Sequence, residues 1–361
     1  MTSSSPLIDT PAALEDLVAQ LAGDTAIGMD TEFLRERTYR AELCLLQVTS
    51  PAGPVCIDPI ALTDLSALKV ITEASSPPKI LHSGRQDLEV LWPVVGRVMP
   101  VFDTQIAAAL AGFAAQVGYA DLVRQIFDID VPKGQTRTDW SRRPLSPEQV
   151  VYALDDVRHL RPLRDHLSEQ LERLGRLAWL EEDLLKLTDP VGLQPDPARA
   201  WQRFKGVTQL DAGRQRLIAL LAEWRERRAI AKNRPRGWIL EDALIKEITE
   251  TVPRDLAALS RIPGLPEGVI KHSGEELCAL VEAAEIEQPP PPLPKRARPD
   301  PAVLQEVKRL AEQLKKVATE LNVASEVLAT RKDLEAIAAG RRVDQVLSGW
   351  RKELLNEALS S

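Results

Sequence analysis

The chain has 361 residues, 44 % of them hydrophobic and 27 % charged, with a formal net charge of −7. This fits a soluble globular protein of two or three domains. It excludes a membrane-spanning helix, because no apolar run approaches the ~20 residues a bilayer needs. Met1–Pro6 lack a basic stretch followed by an apolar one, so no secretory signal is expected. Cys44, Cys56 and Cys278 fit neither a disulfide framework nor a zinc pattern, and a cytoplasmic location is expected. The charge is uneven. Residues 1–200 hold 19 basic and 29 acidic side chains, and residues 201–361 hold 27 and 24. An acidic half suits cations and a basic half suits polyanions.

In chain order, Ala26–Met29, Leu43–Val48, Val55–Ile57, Lys79–Leu81 and Val101–Phe102 read as short strands, with helical patterns over Ala61–Ala74 and Leu88–Val95. This alternation predicts an α/β domain. From about residue 140 the pattern is helical. Ser146-Pro147-Glu148-Gln149 is a helix start, with Ser146 as cap, Pro147 in the first position and Gln149 closing a capping box. That helix is expected to run through Tyr152 and Asp156 until Pro162 disturbs it. A second helical block covers 201–287, a polyproline linker 288–299, and a third, smaller block 300–361.

Three segments carry carboxylates. Asp30 and Glu32 stand two apart after an apolar strand, so they share one face. Such a pair repels unless a cation or proton lies between, and hard divalent ions take oxygen ligands of this kind. A solvated strand end is the ordinary alternative. Asp87 follows the strand Lys79–Leu81 and opens a helix, where an acid also complements the helix dipole. Tyr152 and Asp156 stand four apart on one helix face. Taken singly, that pair reads as a core-edge tyrosine near an exposed acid, with Asp155 about 100° further round.

Together, Asp-x-Glu on a first strand, an aspartate in a second motif and Tyr-x-x-x-Asp on a late helix resemble the DEDD exonucleases. The tyrosine marks the DEDDy branch, since the position a DEDDh histidine would take is Val151. Thr31–Tyr39 and Thr136–Leu145 are similar to the first-motif flank and the stretch before the third motif in the ribonuclease D family. The resemblance implies an RNase H-like exonuclease domain over 1–200, a mixed sheet flanked by helices. Two all-α HRDC-type domains (helicase and RNase D C-terminal) are implied after it, over 201–287 and, more weakly, over 300–361.

It further implies a 3′–5′ exoribonuclease that releases nucleoside 5′-monophosphates with two divalent ions, Mg²⁺ or Mn²⁺. In that scheme Asp30 bridges both ions, Glu32 and Asp156 hold the one carrying the attacking water, and Asp87 serves the other through water. Two metals supply an activated water and a stabilised leaving oxygen. Tyr152 is expected to orient the water, because a phenol of pKa ~10 is protonated at neutral pH. Phe33 and Tyr39 are candidates for stacking on the terminal base. Asp103 reads as a helix cap, and His82 and His159 as structural.

Residues 201–240 hold 10 basic against 3 acidic side chains, with Trp201, Phe204, Trp224 and Trp238 interspersed. Arg225, Arg227, Arg228 and Lys232 are candidates for RNA phosphates, and the tryptophans for core. Expected partners are RNA, chiefly tRNA precursors and other small structured RNAs, with no membrane and no obligatory protein partner. A DNA exonuclease and a catalytically silent RNA-binding protein are the rival readings. Because every motif precedes residue 157, a fragment 1–200 is expected to keep the chemistry.

Overall fold

Among the described residues, six strands build one mixed sheet in the order β1-β4-β3-β2-β5-β6. They are β1 (Leu7–Ile8), β2 (Ile27–Leu34), β3 (Glu42–Ser50), β4 (Gly53–Ile57), β5 (Lys79–Leu81) and β6 (Val101–Asp103). β3 and β4 are antiparallel, while β1–β4, β2–β5 and β5–β6 are parallel. Only residues 35–41 link β2 to its neighbour β3. A link this short cannot make a parallel crossover, so the pair is antiparallel. β1 is a two-residue strand that the sequence pattern missed, being shorter than any periodicity can register. The computed structural model describes residues 6–72, 77–132, 134, 138–286 and 300–360. They fall into two compact units, the first drawn from 1–34, 43–194 and 299–361, the second from 35–42 and 195–298.

In the first unit, alternation along β2 sorts the side chains. Ile27 and Met29 join a core with Leu46, Val48, Leu81 and Leu88. Gly28, Asp30 and Glu32 take the other face. Only glycine fits at 28, since a Cβ there would stand 2.9 Å from Thr49 Cγ2 and 3.2 Å from Leu160. Helices cover both faces: α1 (Pro11–Ala22), α2 (Arg85–Val95), α3 (Thr104–Ala111), α4 (Tyr119–Phe127), α5 (Pro147–Arg158), α6 (Leu160–Arg173) and α7 (Leu177–Leu187). α5 starts on the expected capping box and stops at His159, and Pro162 falls in the first turn of α6. The helix expected over 61–74 is shorter. It forms only from Ser66, because Asp58 and Asp64 hold the preceding amides of Ile60, Ala61 and Ser66 in turns. Ala74 lies outside the described residues.

The third helical block departs from the expected organisation. Its helices α11 (Pro301–Glu320), α12 (Arg331–Ala338) and α13 (Gly349–Ser360) belong to the first unit. Val307, Leu310, Leu314 and Leu355 share one core with Leu110, Leu163, Leu167 and Leu180. An amphipathic stripe must bury its apolar side, and this one finds α3, α6 and α7. Trp350 stacks on Trp179 with centroids 4.3 Å apart. Arg351 grips Asp183 at 2.5 and 2.8 Å. Arg176 donates to Leu110 O at 2.7 Å and Leu321 O at 2.6 Å. Gly112, at φ +106°, lets the backbone oxygen of Asn322 approach to 2.7 Å of where a Cβ would stand.

The second unit packs α8 (Ala212–Lys232), α9 (Asp242–Thr251) and α10 (Glu267–Ile286) around Trp201, Phe204, Leu217, Leu221, Ile248 and Leu277. The segment 35–42 joins it through Tyr39, whose hydroxyl donates to the fully buried Glu226. Arg203 and Arg236 also bind Glu226, at 2.9 and 2.6 Å. The polyproline linker lies outside the described residues.

A fragment ending at 200 therefore loses part of the core of its own unit. It should aggregate or bind a hydrophobic dye in gel filtration and fluorescence assays, contrary to the sequence expectation. Leu310→Ala in the full chain should cost ~2–5 kcal/mol in denaturant titration. A monomeric fragment melting like the full chain would overturn this.

Candidate active site

Strand β2 delivers Asp30 and Glu32 from its outer end, and α5 lays Asp156 and Tyr152 against them. Oxygens of Asp30, Glu32 and Asp156 lie within 4.8 Å of one another. Asp87, in the first turn of α2, is buried and accepts the Thr31 hydroxyl at 2.5 Å. It stands outside the tight trio but close enough to act on it electrostatically. Trp140 is buried beside Tyr152, with ring centroids 6.2 Å apart. Arg143 clamps the preceding stretch by donating to Asp58 at 2.6 and 2.7 Å and to Cys44 O at 2.7 Å. Tyr119 fixes the end of α5, donating to Asp155 O at 2.9 Å and accepting from His159 N at 3.0 Å.

Burial and mutual repulsion dominate the electrostatics. Burial first, then Asp87, Asp156 and Glu32, hold Asp30 well above the ordinary carboxylate range. Burial, then Asp156 and Asp87, push Glu32 to about 8. Burial and Asp155 lift Asp156 to about 7. Burial raises Asp87 to about 6 against the Thr31 hydrogen bond. The Tyr152 phenol is raised by burial and then by Asp156, Glu32 and Asp30, so it stays protonated. Hard anionic oxygens crowded this closely match a hard divalent cation, which would relieve the repulsion.

The structure treats the other candidate residues unequally. Phe33 is half-buried at the end of β2. Tyr39 is engaged within the second unit, with Arg236 4.7 Å over its ring and Glu226 on its hydroxyl, so it serves packing there. Arg225 is corrected as an RNA ligand. It is 4 % exposed, lies over Phe204, and donates to Leu240 O at 3.0 Å and Asp242 at 2.5 Å. Its position on α8 faces the helical core, a fact that local charge density conceals. Arg227 and Arg228 reach the surface but pair with Glu223 and Glu276. Lys232 is exposed. Trp201 and Trp224 are core as expected, whereas Trp238 is 61 % exposed with Arg234 over its ring. Asp103 caps α3 and also accepts from Ser83 N and Gly84 N. His82 bridges Thr104 and Val117 O, a structural role. Sequence reasoning missed Thr31, Trp140 and Arg143 as supports, although Thr31 stands between two of the acids.

The family model described as 3'-5' exonuclease matches residues 6–172, and that of the HRDC domain matches 214–281. Ribonuclease D of Gluconacetobacter diazotrophicus is 38 % identical over 98 % of this chain and 92 % of its own length. Ribonuclease D of Jannaschia sp. is 39 % identical over 96 % and 92 %. This chain belongs to the ribonuclease D family. Among solved structures, Escherichia coli RNase D, described as an exoribonuclease involved in structured RNA processing, superposes with a TM-score of 0.85. It is 30 % identical and covers 98 % of this chain and 97 % of its own. The chain is accordingly a 3′–5′ exoribonuclease, a hydrolase dependent on divalent metal. No helix among the described residues is long and apolar enough to cross a membrane.

The raised carboxylates fix a pH dependence. An acid whose pKa is higher folded than unfolded holds extra protons in the fold, so stability falls as pH rises between the two values. For Glu32 that window runs from 4.5 to about 8. In EDTA, Glu32→Gln should melt above wild type at pH 8, and the gap should close at pH 4. Circular dichroism melts check this, and a gap independent of pH would contradict it.

Proposed function

We propose that Asp30, Glu32, Asp156 and Asp87 hold two divalent ions, Mg²⁺ or Mn²⁺, and that Tyr152 orients the attacking water at an RNA 3′ end. The observation that carries this is the convergence of Asp30, Glu32 and Asp156 within 4.8 Å, with Tyr152 one helical turn from Asp156. Bound ions supply a more acidic water and neutralise phosphate charge. The chain's own part is positional. Asp30 and Glu32 are set by strand alternation, Asp156 by the capped start of α5, and Asp87 by Thr31. Tyr152 keeps its proton and so donates a hydrogen bond rather than removing a proton.

A groove of about 350 Å³ beside Tyr152, lined by Pro132, Pro147, Val151 and Asp155, is assigned to the terminal nucleotides, and half-buried Phe33, at the end of β2, is proposed separately as a base contact. Structured RNA is assigned as substrate, with tRNA precursors and small RNAs as the natural class and the cytoplasm as the compartment. The similarity to the E. coli enzyme supports this assignment. Arg227, Arg228 and Lys232, with exposed Trp238, are proposed to meet RNA phosphates and bases in the HRDC unit. The block 300–361 is proposed as a diverged HRDC-like unit that has been absorbed into the nuclease core.

Asp30→Asn should abolish hydrolysis of end-labelled RNA in Mg²⁺ while leaving the fold intact, because an amide is a poor ligand for a hard cation. Near-normal turnover would sink the carboxylate model. A parallel assay on matched DNA distinguishes a DNA exonuclease.

Tyr152→Phe keeps the ring and deletes the hydroxyl. Single-turnover cleavage should fall ~10²-fold or more with little change in RNA affinity. Lost affinity with fast cleavage would make Tyr152 a binding residue.

A further inference from the structure

Gln47 lies on β3, fully buried, and neither atom of its side-chain amide has a hydrogen-bond partner. Buried amides are normally paired, so an unpaired one asks for a cause. Its position supplies one. The Thr49 hydroxyl accepts the Gly28 N–H at 2.7 Å, which sets Thr49 against Gly28 across the β2–β3 pair. The strands run antiparallel, so two residues forward from Gly28 and two back from Thr49 bring Asp30 and Gln47 side by side on one face.

The packing agrees. Leu46 and Val48 enter the core with Ile27 and Met29, while Leu45 packs on the opposite face with Ala153 of α5. Thr49 accepts Arg161 Nε of α6 at 3.0 Å. Gln47 lies between Leu45 and Thr49, so it falls beneath the turn of α5 that bears Asp156.

We propose that Gln47 is a positioning residue for the metal-binding carboxylates. Its Nε2 donates to Asp30 through one bridging water and so fixes that carboxylate for a cation. This rests on the carboxylate reading of the site. The residue type fits the task. A lysine or arginine would form an ion pair with Asp30 and compete with the metal, and an apolar side chain would leave the carboxylate free to swing. An amide donates a hydrogen bond without adding charge.

The test is Mn²⁺ binding to the full chain, read from the electron paramagnetic resonance signal of free Mn²⁺, beside melting in EDTA. Gln47→Met keeps the length and removes the donor. Affinity for Mn²⁺ should fall ~10-fold or more, the scale for groups that orient metal ligands. The melting point in EDTA should hold or rise, because an unpaired buried dipole is gone. KM for a short RNA should not move, since Gln47 touches no substrate. Mn²⁺ affinity equal to wild type overturns the proposal and leaves the carboxylate site standing. Failure of wild type itself to bind Mn²⁺ overturns both. If Gln47→Met does not fold, the same titration on Gln47→Asn decides. Its shorter amide should lose affinity likewise, and wild-type binding overturns the proposal.

Discussion

The repulsion among Asp30, Glu32, Asp87 and Asp156 is the constraint around which the nuclease unit is arranged. Three other acids with little exposed carboxylate are neutralised by arginine, and buried Asp103 is satisfied by backbone N–H groups. Asp58 is held by Arg143, Asp24 by Arg161 and Glu226 by Arg203 and Arg236. All three are pulled below the usual carboxylate range, Glu226 to about 2. At the site the shifts run the other way, and the charges acting most strongly on Asp30 are other carboxylates. Asp58, Asp24, Glu226 and Asp103 each have arginine or backbone N–H donors on their oxygens, whereas the carboxylates of the site face one another, an arrangement that suits a cation brought from outside.

Holding the group together takes rigid backbone rather than side-chain attraction. Strand alternation sends Asp30 and Glu32 to one face while Ile27 and Met29 anchor the other. The glycine at 28 lets Leu160 and Thr49 close onto β2, which brings the α5–α6 turn near the carboxylates. The capping box at Ser146 fixes where α5 begins and hence the direction in which Tyr152 and Asp156 point. Loss of such a cap typically costs ~1 kcal/mol. Its larger effect here would be on the register of two functional side chains.

What could be read from sequence was what local pattern encodes. The Asp-x-Glu strand, the Ser146 cap and the Tyr-x-x-x-Asp face each follow from spacing alone, and the structure brings three of the four acids together. What could not be read depends on contacts distant along the chain. Arg225 sits in a basic run and looked free, yet Leu240 and Asp242 claim it. Tyr39 flanks a motif, but its partner Glu226 lies 187 residues away. The block after the linker looked independent because its amphipathic helix is complete in itself, and nothing local says that its apolar stripe faces Leu110 and Leu180. Charge density and aromatic content predict a surface only when burial is already known.

The supports around the carboxylates share a chemical property. Thr31 donates a hydroxyl to Asp87, Tyr152 keeps its phenolic proton beside Asp156, and the proposed role of Gln47 sets a neutral amide beside Asp30. Each can orient an oxygen without cancelling its charge. A hydrogen bond from a neutral donor favours the ionised carboxylate modestly, whereas a full positive charge a few ångströms away would favour it by much more and occupy the same oxygens. The site therefore sits at an intermediate point. Its acids are oriented in advance, so little ordering is left to do when a cation arrives, yet they remain unneutralised enough to bind it. Protons compete for the same oxygens. Burial and mutual repulsion raise all four acids, Glu32 to about 8, so the metal-free group retains protons near neutral pH and cation binding displaces them.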